Sequence, residues 1–305
     1  MDQHDLKSFL ALSQTLHFGR ASRLVNLSPS ALSRALRRME EELGQRLFTR
    51  DNRSVQLTPA GRSFRAYARE ALAGWEQLGR ELAGGGQEVS GELTVYCSVA
   101  AAYTVLTGLF RAFRQAHPGV HLRLQTGDPA EALERVASGQ ADVTVAARPH
   151  TLPRTLAFKT VAVTPLLFVS PVVPCEAASL ARQSPIPWAR MPMVLSATGL
   201  SRRRAEAWFR ARGVHPQVYA EVSGHEAIIS MVRLGCGVGV VPRLVLERFA
   251  QKNEVRVLEV EPPLEPYIVG LCARRRRLDF PPARAFWEAV PEARPEAGPA
   301  AAPGA

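Results

Sequence analysis

The stretch "LSPSALSRALRRMEEELG", Leu27 to Gly44, decides how the chain is read. At a helical period it shows two faces. Leu32, Ala35, Leu36, Met39 and Leu43 form an apolar stripe, while Ser30, Ser33, Arg34 and Arg37, followed by Arg38, gather on the other side. Ser28 is placed to cap the helix, Pro29 takes the first helical position, and Gly44 suits the left-handed residue that ends it. The helix dipole makes an N-terminus positive, so arginines in the first half are unfavourable for the helix alone. Their position asks for a negative partner from outside.

The flanks give that partner a class. Leu6, Phe9, Leu10 and the run from Leu12 to Leu16 predict a first helix, Arg20 to Leu24 a short second one with Ala21 facing inward, and "VNL" a turn. After Gly44, "RLFTRDNRSVQLTPAG" reads as two short strands joined by a polar turn at Asp51 to Ser54, with Thr58 capping the next helix. This is a helix–turn–helix with a wing. In such a domain the start of the third helix meets base edges in the major groove. Ser28 and Pro29 open that helix, Ser30 and Ser33 are short enough to bond bases or phosphates, and Arg34 reaches far enough for a bidentate contact to guanine. Arg37, one turn further on, is assigned to phosphate. Arg38 is assigned to the acidic run Glu40, Glu41 and Glu42 behind it, and Arg50 and Arg53 flank the wing turn.

The whole chain has 305 residues, a length that favours two or three compact units. A formal net charge of +10 suits a polyanion partner only where the charge is localised, and an arginine-rich composition equally reflects the genome that encodes it. Cys97, Cys175, Cys236 and Cys272 are far apart and form no CxxC pair, which argues against a zinc cluster or a disulfide scaffold. They read as buried thiols in a reducing compartment. The opening "MDQHDLKSFLALSQTL" does not read as a signal peptide, and no apolar run approaches the roughly 20 residues that span a bilayer. The expectation is a cytoplasmic protein without membrane contact, metal or cofactor.

A long helix is predicted from about Pro59 to Ala83. Its apolar positions Phe64, Ala68, Ala71, Trp75, Leu78 and Leu82 step alternately by four and three, a heptad seam. Such a seam either packs on its own domain or dimerises. The stop "AGGG" at 83–86 favours a protruding dimerisation helix that ends in a hinge.

From Gly91 the pattern alternates strand and helix: "GELTVYCSV", a helix over 101–116, "PGVHLRLQTGD", "PAEALERVASG" and "ADVTVAA". That repetition predicts a parallel sheet with helices on its faces. A Pro-rich, irregular piece spans about 149–192, and then a second set follows: "MPMVLSA", "SRRRAEAWFRARG", "QVYAEVS", "HEAIISMVRLG" and "CGVGVVP". "EPYIVGLCAR" and the helix "PPARAFWEAV" have no new partner and return to complete the first half. The tail "PEARPEAGPAAAPGA" has the composition of a disordered segment. The fold class is therefore α/β with an N-terminal α-rich winged helix–turn–helix, a long linker helix and a two-lobed sensor like a periplasmic binding protein. The expected divisions are 1–58 for DNA binding, 59–90 for linker and hinge, 91–161 with 267–292 for lobe I, 162–266 for lobe II, and 293–305 for the tail.

The block "FGRASRLVNLSPSALSRALRRMEEELGQRLFTRDNRSVQLTPAG", followed by a linker helix and two α/β lobes, resembles the LysR-type transcriptional regulators over essentially residues 3–290. "LHFGRASR", "GELTVYCSVAAAY", "TGDPAEALERV", "RRRAEAWFR", "GHEAIISMVRLGCGVGVVP" and "AFWEAV" narrow the resemblance to the branch that activates the acetohydroxy-acid isomeroreductase gene of isoleucine–valine synthesis. The resemblance implies a DNA-binding activator that dimerises and forms tetramers, works with RNA polymerase, and takes acetolactate or acetohydroxybutyrate as inducer. Departures in 149–192 and in the tail leave room for another operon and another small carboxylate. By the family pattern, Arg50 or Arg53 enters the minor groove beside the wing.

A small carboxylate needs a site at strand ends in the cleft between lobes. Ser98, at a strand-to-helix junction, either binds an anion with the helix N-terminus or only caps it; Val99 and Ala100 follow, and Ala100 and Ala101 leave room for a ligand. Thr126 in "TGD", Ser196 and Thr198 in "SATGLS", and His225 in "SGHEA" are the other candidates. His225 is equally well a structural hydrogen bonder, and a His-Glu pair alone is no metal site. Arg148 either neutralises the inducer or points into solvent. Of Arg202, Arg203 and Arg204, which point in three directions, at most one or two can face a ligand. "GCGVGVVP" lacks the G-x-G-x-x-G spacing and enters a strand from a helix, so it reads as a tight turn lining the lobe interface, not as a nucleotide loop. An enzyme reading finds no nucleophile–base pair, metal cluster or cofactor loop. A secreted solute-binding protein is opposed by the N-terminal DNA-binding block.

Overall fold

The structure is a computed structural model that describes residues 1–50, 54–82, 89–250 and 253–291. The glycine stop at 83–86, Arg53 and the tail from 293 lie outside the described residues, as do the side chains of Arg50 and Leu82.

The first unit contains α1 (Gln3–Thr15), α2 (Phe18–Leu24), α3 (Pro29–Leu43) and an antiparallel pair, β1 (Phe48–Arg50) and β2 (Val55–Leu57), with Phe48 opposite Leu57. Ser28 caps α3 by accepting from the Ala31 N–H at 3.1 Å, and Gly44 ends the helix at φ 63°. Leu32, Leu36 and Met39 are fully buried, whereas Leu43, placed by periodicity on the same face, is exposed in the final turn. Part of the acidic run serves the fold. Glu40 Oε1 accepts from the Leu47 and Phe48 N–H groups at 2.9 and 3.2 Å and so fixes the start of the wing.

The long helix α4 (Pro59–Leu82) begins at Thr58, whose hydroxyl accepts from the Gly61 N–H at 2.9 Å. Its seam has two fates. Phe64 packs edge-on against Phe9 with centroids 4.7 Å apart, and Ala68 is fully buried in the same core. These two residues belong to the helix–turn–helix core and are removed from the dimerisation set, because α1 already covers them. Further along, Ala71 is half-buried, and Trp75 and Leu78 are exposed. The helix also docks on the next unit: Arg69 Nη1 donates to the Gly139 and Gln140 carbonyls at 2.8 and 3.0 Å, and Arg274 pairs with Glu70 at 3.0 Å.

The remainder forms two five-stranded sheets. The first contains β3 (Gly91–Cys97), β4 (Val120–Thr126), β5 (Val143–Ala147) and β6 (Leu156–Thr164), joined by a later strand. Between β3 and β4 runs a continuous helical stretch: α5 (Val99–Ala101), a π-helical segment (Ala102–Leu106) and α6 (Thr107–Ala116); α7 (Ala132–Ala137) precedes β5. The second sheet contains β7 (Leu166–Pro171), β8 (Pro192–Ser196), β9 (Gln217–Val222), β10 (Val238–Pro242) and β11 (Val255–Leu258). Its helices are α8 (Glu176–Leu180), α9 (Gly199–Arg210), α10 (His225–Arg233) and α11 (Arg243–Phe249). The chain then returns as β12 (Tyr267–Arg274) and α12 (Pro281–Glu288) to the first sheet, whose order is β4-β3-β5-β12-β6.

Three expectations need correction. The sheets are mixed: β12 runs antiparallel to β5 and β6, and β7 antiparallel to β10 and β11. A chain that crosses between lobes and returns enters each sheet against the grain of its βαβ part. The segment 149–192, read as irregular, holds β6, β7 and α8. The change of sheet falls at Pro165, later than the expected division at 161 and 162, because Ala162, Val163 and Thr164 still pair with β12.

Each sheet is covered on both faces. In the second lobe Phe168, Trp188, Trp208 and Phe209 pack on one face, and Val194, Ile228, Val232 and Val241 on the other. In the first lobe Phe286 of α12 meets Phe113 of α6 at 5.1 Å, which secures the returning segment.

Candidate DNA-binding surface and effector cleft

On α3 the residues assigned to DNA stand clear of the core. Ser28, Pro29, Ser30, Arg34 and Arg37 are exposed, and Ser33 is half-buried. The Ser28 and Ser30 hydroxyls lie 3.0 Å apart. Arg37 Nε bonds Glu41 Oε1 at 2.9 Å, an exposed pair one turn apart and easily exchanged for a phosphate. Arg38 departs from the expectation. Its guanidinium reaches across to the buried carboxylate of Asp5 in α1, not to the acidic run of its own helix. That pairing ties α3 to α1.

Between the lobes lies a cleft of about 140 Å³. Its wall is made where strands end and helices begin, so that exposed N–H groups of first helical turns face it. Ser98, Ala100, Ser196, Thr198 and His225 all line it. Ser98 follows β3, and its hydroxyl accepts from the Ala101 N–H at 3.1 Å. Thr198 and Gly224 precede α9 and α10, and neither helix has a side-chain hydrogen bond capping its start. Two helix N-termini without a side-chain cap among the described residues therefore meet at one small space, an arrangement that favours an anion, although the Glu226 carboxylate lies by Gly224 in the first turn of α10 and Asp128 lines the wall. Gly199, at φ 92°, brings the start of α9 against lobe I: a Cβ there would lie 3.2 Å from Ala130 Cβ. The π-helical segment contributes Thr104 to the wall.

His225 is buried against Tyr267, ring centroids 6.0 Å apart, and its Nε2 is shielded with no hydrogen-bond partner among the described residues. Burial pushes its pKa down to about 4, although the nearby charge of Asp128 works in the opposite direction. Burial also pushes the Tyr267 phenol up to about 12, against the opposing effect of its hydrogen bond with Ser201.

Three sequence candidates are not brought to the cleft. Val99 turns outward beside Ser98, and Thr126 is exposed at the end of β4, two residues before Asp128, which does line the wall. Arg148 lies with its guanidinium 5.7 Å from the Phe158 ring centre, and the following Pro149 takes the wall position. The three arginines of α9 separate as their directions require. Arg202 pairs with Glu206 and Glu221 at 2.6 and 2.7 Å, Arg204 is buried against Glu265 and the Tyr267 ring, and Arg203 stands at the cleft. The turn at Gly235 and Gly237 is not at the lobe interface. It lies at the opposite end of β10, with Gly235 beside Val173 and Cys175, while Pro242 at the far end of that strand reaches the cleft. Sequence reasoning missed Asp128, Tyr267 and Thr164 as wall residues, because the cleft gathers them from elements far apart in the chain.

A winged helix–turn–helix carried by a long helix, with a two-lobed domain closed around an anion-favouring cleft, defines a ligand-responsive DNA-binding regulator. The chain belongs to the LysR family of bacterial regulators: residues 3–62 match the model of the bacterial regulatory helix-turn-helix protein, lysR family, and residues 86–295 that of the LysR substrate binding domain. It is 43% identical over 294 residues to the HTH-type transcriptional activator IlvY of Salmonella typhimurium, covering 95% of this chain and 100% of that one. Identity to the HTH-type transcriptional regulator IlvY of Escherichia coli is 42%, covering 95% and 99%. The fold also matches a full-length OxyR variant of Pseudomonas aeruginosa, with TM-score 0.68, 20% identity and coverage of 95% and 94%. The family is one of transcription regulators, not enzymes. Among the described residues no helix is long and apolar enough to cross a membrane.

Proposed function

We propose that this regulator activates the acetohydroxy-acid isomeroreductase gene of isoleucine–valine synthesis when acetolactate or acetohydroxybutyrate occupies the interlobe cleft. The observation that carries the reading is the convergence of the uncapped α9 and α10 N-termini on a small cleft that Ser98, Ser196 and Thr198 line. A compact acid bearing a hydroxyl and a ketone suits such a wall. Similarity to IlvY over nearly the whole chain supports the choice of gene.

Ser30, Ser33 and Arg34 are assigned to base edges, Ser28, Pro29 and Arg37 to positioning contacts with the backbone, and Arg50 or Arg53 to the minor groove beside the wing. Half-buried Ala71 and exposed Trp75 and Leu78 are assigned to the subunit contact, and Leu82 is assigned to it by its sequence spacing. Ligand binding shifts the relation between the lobes, and the linker helices pass that change to the DNA-binding units of the oligomer. The shift is limited by the ligand's differential affinity for the two arrangements.

A second reading, another small carboxylate and another operon, is favoured by Pro149 and Thr164. Both line the cleft, and both come from residues 149–192, where the sequence reading expects departures from the branch pattern. One experiment separates the two: DNA upstream of the gene is titrated at stated salt with and without acetolactate, and the footprint and in vitro transcription are read. A ligand-dependent change supports the first reading. Specific DNA binding that ignores both acids supports the second.

A further inference from the structure

We propose that His225 Nε2 hydrogen-bonds an uncharged oxygen next to the ligand's carboxylate, so that the cleft selects 2-hydroxy and 2-oxo acids over the unsubstituted acids. This rests on the effector-cleft reading above and assigns the selectivity of that site to one side chain.

Several polar groups of the wall already have one partner within the protein: Ser98 Oγ accepts from the Ala101 N–H, Thr104 Oγ1 donates to the Ala100 carbonyl, Asp128 Oδ1 accepts from the Ala130 N–H, and the Tyr267 phenol bonds Ser201. His225 is only 6% exposed, lines the cleft, and keeps a shielded Nε2 without a partner among the described residues. A buried polar atom left unmatched is costly, so its retention beside a ligand space points to a ligand atom that completes it. The ring is held by Tyr267, whose face in turn lies 5.1 Å from the Arg204 guanidinium. The ring is therefore packed in place before any ligand arrives.

The ring's charge decides what it can read. Burial holds the imidazole neutral at physiological pH, so it offers a dipole and not a cation. The carboxylate is left to the α9 and α10 N-termini and to Arg203 at the cleft. The start of α10 is the position of His225 itself, so an oxygen one or two bonds from a carboxylate held there falls within reach of the ring. A site built to hydrogen-bond a substrate oxygen rejects the analogue without it far more strongly than an apolar pocket discriminates size.

Calorimetry on the full-length protein tests this with two matched pairs: 2-hydroxy-2-methylbutanoate against 2,2-dimethylbutanoate, and 2-oxobutanoate against butanoate. Wild type is expected to favour the oxygenated member of each pair by about tenfold or more. His225→Leu should bring the affinity ratio within each pair close to one, and His225→Gln should restore part of the preference. Equal binding within each pair by wild type, or an undiminished preference in His225→Leu, overturns the inference while the carboxylate site stands. If no acid binds wild type, the cleft reading falls and this one with it. Should His225→Leu fail to fold, the wild-type pairs and His225→Gln still decide.

Discussion

Arg277 and Asp142 form a buried ion pair, Nε to Oδ1 at 2.8 Å, with side chains only 6% and 7% exposed. The second carboxylate oxygen accepts from the Thr94 N–H at 2.8 Å, and the guanidinium lies 3.7 Å from the Phe280 ring centre. The pair joins β3 and the turn before β5 to the segment that follows β12, and so holds the returning chain in lobe I. Removing one partner of such a pair leaves an uncompensated buried charge. Asp142→Ala should lower unfolding stability by about 3–5 kcal/mol in urea melts. A loss under about 1 kcal/mol would show that the pair is not what secures the return.

Arg34 and Arg38 stand four residues apart on α3 but are expected to fail differently. Arg34→Ala should weaken specific operator binding by about 1–3 kcal/mol in gel-shift titrations, with thermal stability unchanged. Arg38→Ala should lower the melting temperature of the DNA-binding unit, because the buried Asp5 carboxylate loses its cationic partner and keeps only the Asp2 N–H among the described residues. An affinity loss for Arg38→Ala that exceeds that of Arg34→Ala would reverse the two roles.

The two ends of the α4 seam can be separated in the same way. Trp75 is 63% exposed, so Trp75→Glu should leave the fold intact and dissociate subunits, read by sedimentation velocity. Phe64 is packed against Phe9, and Phe64→Ala should destabilise the helix–turn–helix unit by about 3–5 kcal/mol whatever the oligomeric state.

His225 gives a pH dependence of defined sign. Its pKa falls from 6.5 to about 4 on folding, so between those values the unfolded chain holds the proton and the native state does not. Stability from this group is present in full above the unfolded pKa and is lost as pH falls toward about 4, by on the order of 3 kcal/mol. His225→Gln should flatten that limb of the stability curve relative to wild type. Parallel curves for the two proteins would show that the ring titrates without penalty.

The local rules were legible wherever a pattern needed only its own neighbours. The capping of α3 by Ser28, its stop at Gly44, the wing strands and the strand-to-helix alternation after Gly91 all follow from short-range periodicity and capping chemistry. Ser98, Ser196, Thr198 and His225 were legible for the same reason: each lies at a strand end or helix start, and the cleft is made of such ends. The mixed direction of the sheets, the strands within 149–192 and the burial of Phe64 were not, because each depends on a partner far along the chain.

The sequence by itself pointed to the kind of partner the first domain meets, since arginines in the first half of a capped helix oppose its dipole and suit a negative partner. It also determined that two α/β lobes follow. The tertiary structure alone decided which charges are free to act. Arg38 is drawn to Asp5, Arg202 and Arg204 are taken up by glutamates, Arg148 lies over Phe158, and Arg203 is left at the cleft. The physical reason is reach: a guanidinium's partner is whatever carboxylate or ring the fold brings within a few ångströms, and sequence spacing does not record that distance.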